Sequence, residues 1–183
     1  MALKATIFKA DLQVSDLDRG HYGHHDLTIA RHPSETDERM MVRLLAFALL
    51  ADDALAFTRG LSSDDEPDLW QKDLTGDIEL WIEVGLPDER RVRKACGRAR
   101  QVRVFSYGER SADIWWQQNA KLLERLDNLA VKEIPGDAGA RLAELAERTM
   151  KLNCTIQDGS VWLDNGRDTV EVQPVVRKTE KGR

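Results

Sequence analysis

An α/β fold built on a mixed central sheet is what this sequence predicts, with extra antiparallel strands added from both ends of the chain. Three observations predict it. Residues 68–83 read as a hairpin around Thr75-Gly76, with side-chain character alternating along each arm. Helical apolar periodicity precedes that hairpin and resumes after it. A strand pattern at 101–107 follows the second helix. A helix that returns the chain to a neighbouring strand favours a right-handed crossover, so the sheet is mixed.

In chain order, residues 2–14 and 27–30 carry short alternating patterns and read as a hairpin with a polar connection at 16–23. Ser34, after Pro33, is placed to cap the first helix. Glu35, Asp37 and Glu38 load its opening turn with the negative charge that a helix N-terminus favours. Met41, Leu44, Leu45, Ala48 and Leu49 form its stripe, widened by Met40, Phe47 and Leu50. Residues 55–61 read as a strand and 62–67 as a polar loop. Pro87-Asp88-Glu89 opens the second helix, whose stripe is Val92, Ala95, Cys96 and Ala99. A helix at 111–126, a strand at 128–134 and a helix after Pro135-Gly136 follow. Residues 150–156 and 160–163 form a hairpin across Gln157-Asp158-Gly159, and 169–176 is the last strand. Residues 1–176 are expected to form one α/β domain and 177–183 a charged tail without structure.

The composition excludes some functions. At 42% hydrophobic and 32% charged residues, the chain reads as a soluble globular protein. The longest apolar run, 44–51, is far too short to span a bilayer, and no signal pattern opens the chain. Two cysteines make neither a disulfide framework nor a zinc pattern, which points to a cytoplasmic protein with free thiols. A net charge of −5 works against binding polyanions except through a local basic patch.

The hairpin sets Trp70 opposite Trp81, Lys72 opposite Glu79, and Asp68 opposite Glu83. Like charges in direct opposition destabilise a sheet, and a hard divalent cation with oxygen ligands would reverse that sign. Glu38, three and seven residues before Met41 and Leu45, lies at the end of the first helix's stripe and faces the sheet. Glu38, Asp68 and Glu83 are therefore expected to converge on Mg2+, with Mn2+ as a substitute. Such an ion activates water and neutralises charge building on a phosphate. Residues 90–103 hold seven Arg or Lys and no acid. From them Arg91 and Arg93, with Arg31 ahead of the first helix, are candidate phosphate ligands, because a guanidinium offers a fork of donors. Trp70 and Trp81 are candidates to stack on bases, although such a pair more often packs. His21, His24 and His25 resemble a metal cluster in composition only, since no second ligand group stands at zinc spacing.

The order helix, strand, Pro67-Asp68, hairpin, Glu83 resembles the core of the PD-(D/E)XK nucleases. Over nearly its whole length the chain is similar to the YaeQ family. The stretches that carry this are 31–41 (RHPSETDERMM), 81–91 (WIEVGLPDERR), 114–119 (IWWQQN) and 155–159 (TIQDG). The resemblance implies a variant of the nuclease fold more firmly than any activity; taken with the three acids, it points to a divalent-metal phosphodiesterase acting on nucleic acid. One departure matters. The motif's lysine, two residues after the second acid, is Gly85 here. Lys94 is the natural replacement by charge, yet a helical wheel centred on Val92 turns it to the far side. The alternative is a catalytically inactive module on the same fold, binding nucleic acid or a protein partner through the basic helix and the Trp face.

Overall fold

Strand alternation at the N-terminus builds a longer hairpin than expected. β1 (Thr6–Asp16) and β2 (His21–Arg31) pair from Thr6↔Arg31 to Asp16↔His21. Phe8, Ala10, Leu12 and Val14 turn inward, as the period of two requires. Only residues 17–20 remain as a turn, closed by Gly20 at φ +66°, and His21, His24 and His25 lie within β2. The computed structural model describes residues 4–59 and 65–182. The other elements are α1 (Asp37–Leu49), β3 (Leu55–Phe57), β4 (Leu69–Lys72), β5 (Ile78–Val84), α2 (Glu89–Arg98), β6 (Ala99–Tyr107), α3 (Arg110–Leu123), β7 (Leu129–Ile134), α4 (Ala138–Ala143), β8 (Thr149–Gln157), β9 (Ser160–Asp164), β10 (Thr169–Val172) and β11 (Val175–Lys178).

These strands form two mixed sheets, in keeping with the expected α/β class. The first has the order β10-β9-β8-β1-β2 and the second β11-β7-β6-β5-β4-β3. β1 and β8 pair in parallel, so the two ends of the chain join each other in the first sheet. In the second sheet β5, β6 and β7 are parallel, with α2 and α3 as their crossovers. α1 is buried from Met40 through Ala48, and the core around it draws side chains from both sheets. A second core of Trp81, Val92, Ala95, Val102, Val104, Trp115, Leu123 and Val131 lies under α2 and α3. Among the described residues, no helix is long and apolar enough to cross a membrane.

Four local expectations need correction. Thr36, not Ser34, caps α1, accepting the Arg39 N–H at 3.1 Å, and this leaves Glu35 ahead of the helix and buried. β3 ends at Phe57, short of the expected strand; residues 60–61 of that strand and 62–64 of the polar loop lie outside the described residues. A bulge after Gln71 moves Lys72 opposite Ile78 rather than Glu79, and its ammonium lies 3.8 Å from the Trp70 ring centroid. The strand expected at 169–176 divides at Gln173-Pro174 into β10 and β11, which enter different sheets. The expected tail boundary at 176 thus falls inside β11. There Arg177 pairs with Glu133 and Asp113, and the Lys178 ammonium donates to the carbonyls of Leu126 (2.7 Å) and Leu129 (2.8 Å).

Candidate functional site

The hairpin register sets the site. Leu69↔Ile82, Trp70↔Trp81 and Gln71↔Leu80 pair as the alternation predicts. The Asp68 N–H donates to the Ile82 carbonyl at 3.0 Å, which continues the ladder one residue beyond β4 and brings Asp68 beside Glu83. Each is only 3% exposed. Two carboxylates in so little water are costly unless each is paired and hydrogen-bonded. Asp68 Oδ1 accepts from Arg39 Nη2 at 2.7 Å, and Oδ2 from the Val84 N–H at 2.7 Å. Glu83 Oε1 accepts from the Trp81 indole N–H at 2.8 Å and from Arg91 Nε at 2.9 Å.

The guanidinium groups reach these acids because of how their helices start. Thr36 begins α1 so that Arg39 and Arg43 lie one turn apart over Glu35. Glu35 Oε2 meets Arg39 Nη1 at 2.6 Å, and Oε1 meets Arg43 Nη2 at 2.5 Å. Arg43 also donates to the Ala30 carbonyl at 3.0 Å, which ties the network to β2. Asp88 caps α2 by accepting the Arg91 N–H at 2.8 Å, placing Arg91 in the first turn, from which it reaches Glu83 and the Glu66 carbonyl (2.8 Å). The result is a chain of charge, Arg43–Glu35–Arg39–Asp68, with Glu83–Arg91 alongside. Burial works against the charged form of Arg39, but Asp68 and Glu35 outweigh it and hold the guanidinium protonated. For Glu83, burial pushes the carboxyl above its usual range. The Arg91 hydrogen bond opposes that shift, and the nearby Asp68 charge adds to it.

The expected three-carboxylate site does not assemble. Glu38 turns toward α4, so close that a Cβ at Gly139 would lie 2.5 Å from its Oε1. Among the described residues, the three metal-competent side chains that gather within 4.8 Å of one another are Asp11, His24 and Asp26, in β1 and β2. Lys94 is exposed and pairs with Asp65 at 2.7 Å, away from the acids as the helical wheel indicates. Arg93 pairs with Glu89 at 3.1 Å, and Arg31 pairs with Asp37 while lying over the Phe8 ring. The basic run is matched elsewhere too: Arg100 by Asp73 and Arg103 by Glu180, with Arg98 over the Trp81 ring. Trp81 is 1% exposed, so it packs and cannot stack on a base. Gly85 has φ +109°, where a lysine would be strained, so the backbone itself leaves the motif's lysine no comfortable place. Sequence reasoning missed Glu35, Arg39 and Arg43. Their signal was opposite charge at intervals of four, from just ahead of α1 into its buried face.

Fold and site together define a two-sheet α/β protein whose buried acids are neutralised from within the chain. The chain belongs to the YaeQ family: the family model, YaeQ protein, matches residues 1–174. It is 53% identical over 173 residues to a Salmonella typhi protein, covering 94% of this chain and 96% of the relative. It is 52% identical over 172 residues to one from Escherichia coli strain K12, covering 94% and 95%. Both carry the description "Uncharacterized protein YaeQ". The crystal structure of YaeQ protein from Xanthomonas axonopodis pv. citri superposes with a TM-score of 0.93 at 52% identity, covering 97% of this chain and 99% of that one. The YaeQ protein structure from Pseudomonas syringae gives 0.91 at 39% identity, covering 97% and 98%.

Proposed function

We propose that this protein is a non-hydrolysing module on a nuclease-like fold, in which guanidinium groups occupy the electrostatic role of a metal ion. One observation carries the reading. The carboxylates of Glu35, Asp68 and Glu83 are matched by Arg43, Arg39 and Arg91. An ion added to this set would have to displace an arginine or leave uncompensated positive charge in a buried site. The positive φ of Gly85 supports the same reading, because a basic residue that would position attacking water would be strained there. Since most of the basic run already meets acids of the same chain, a protein surface is a better ligand class than a polyanion.

The test is a cleavage panel of single-stranded, duplex and branched DNA and RNA with Mg2+ or Mn2+, run beside calorimetric titration of each ion. No cleavage, and no ion binding that responds to Asp68→Asn, is the expected result. Metal-dependent cleavage abolished by Asp68→Asn and Glu83→Gln would overturn it. That outcome belongs to the second reading, a Mg2+-dependent phosphodiesterase acting on nucleic acid. Its support is that the Arg39 and Arg91 side chains keep 14% and 26% exposure, leaving a watered side from which an ion could displace them.

A further inference from the structure

β2 carries imidazoles on both faces, His24 outward and His21 with His25 inward, and the inward pair has no role in the acidic site. His21 and His25 are four residues apart, a separation of about 13 Å along an extended strand. Their Nε2 atoms nevertheless lie 3.4 Å apart, with the ring planes 15° from parallel. Gly23 makes this possible. A Cβ there would sit 3.1 Å from His21 Nε2 and 3.2 Å from His25 Nε2, so both rings fold over the space that a side chain would fill. His25 is buried and held edge-on by the Phe47 ring at 5.1 Å.

We propose that His21 and His25 bind a zinc-class divalent cation (Zn2+, Co2+ or Ni2+) between their Nε2 atoms, with water completing the shell. Metal–nitrogen bonds of about 2.0–2.1 Å at a tetrahedral centre put two nitrogens roughly 3.3–3.4 Å apart, the separation these rings already have. Imidazole is a preferred donor for these borderline metals.

The outward cluster of Asp11, His24 and Asp26 is the rival address. There His24 Nε2 lies 2.5 Å from Asp11 Oδ1 and 3.8 Å from Asp26 Oδ1, at the surface and with Lys151 opposite Asp11 in β8. Titration of the metal-free protein with Zn2+ by calorimetry, and with Co2+ by visible absorption, separates the two. The expected result is one site with a tetrahedral Co2+ spectrum. His21→Gln and His25→Gln each weaken binding by at least about tenfold, the loss at which even outer-sphere changes begin to register. Gly23→Ala pushes the rings apart and also weakens it, and His24→Gln leaves it unchanged. If His25→Gln does not fold, His21→Gln and Gly23→Ala carry the test. Saturating Zn2+ that binds no more tightly than about 1 mM, or binding lost in His24→Gln but kept in His21→Gln, overturns the proposal. The first of those results identifies the pair as a neutral N–H···N contact.

Discussion

Two pairs of like side chains meet in this molecule, and they meet differently. Asp68 and Glu83 come together at one end of the β4–β5 pair, inside the second sheet, with a guanidinium on each. His21 and His25 come together on the first sheet over a glycine, their ring nitrogens facing each other. Convergence of potential ligands is common to both. What separates them is the charge already supplied by the rest of the chain. At the acids, Arg39, Arg43 and Arg91 close the balance, so an ion would compete with the fold. At the histidines the two ring nitrogens already stand at a metal's own spacing.

The largest effect that tests this comparison is removal of an arginine. Arg39→Met leaves Glu35 short of one partner and Asp68 without its ion pair, both buried. Breaking a buried pair from one side costs about 3–5 kcal/mol. The loss is read as a lower midpoint of urea unfolding at unchanged slope. Arg43→Met combined with Glu35→Gln is expected to be milder than Arg43→Met alone, because the second change removes the stranded charge. Equal losses in those two variants would show that the arginines act by packing and not by neutralisation.

A smaller effect tests the missing lysine. Gly85→Lys restores the residue type that the nuclease resemblance implies, but at φ +109°. Residues held in such sparsely populated conformations cost of order 1–3 kcal/mol. The expected outcome is a destabilised protein with no gain of metal-dependent cleavage. A stable Gly85→Lys variant that cuts DNA would turn the acidic site into a latent catalytic centre.

The pH dependence sharpens the same point more gently. Glu83 has a carboxyl raised above its ordinary value of 4.5 by burial, against the pull of Arg91. The folded state then holds this proton more tightly than the unfolded chain does. Its contribution to stability is fully present below about 4.5 and is lost as pH rises through the higher folded value. Glu83→Gln removes that titration. The stability of the natural protein relative to Glu83→Gln should therefore fall as pH rises from 4.5, and a difference independent of pH would contradict the direction of the shift.

How much of this was legible follows from whether an interaction is local. The β4–β5 register could be read because alternation around Thr75-Gly76 sets every pair. The bulge at Lys72 could not, since it shows in no residue type. Glu35 was legible as an acid near a helix start, but its burial depends on capping by Thr36 two residues later than Ser34. The parallel pairing of β1 with β8 joins segments well over a hundred residues apart, and nothing in either strand's pattern names the other. The histidine pair was hidden by strand spacing, because only the absent side chain of Gly23 lets residues four apart touch.

The smallest effect expected is at Lys94, and it discriminates because it is small. As the surrogate for the motif's lysine it would have to reach Asp68 and Glu83. Instead its ammonium lies 2.7 Å from Asp65, with both side chains largely in water. Exposed ion pairs are screened and must offset the entropy of fixing two long side chains. Lys94→Ala should leave the unfolding midpoint within error of the natural protein and alter no metal titration. Arg91→Ala, which strips Glu83 of its guanidinium, should change both. If the ranking came out reversed, with Lys94 the residue on which metal binding depends, then a water-side face of α2 would be doing what the buried network was credited with, and the closed-charge account of the acids would have to be abandoned.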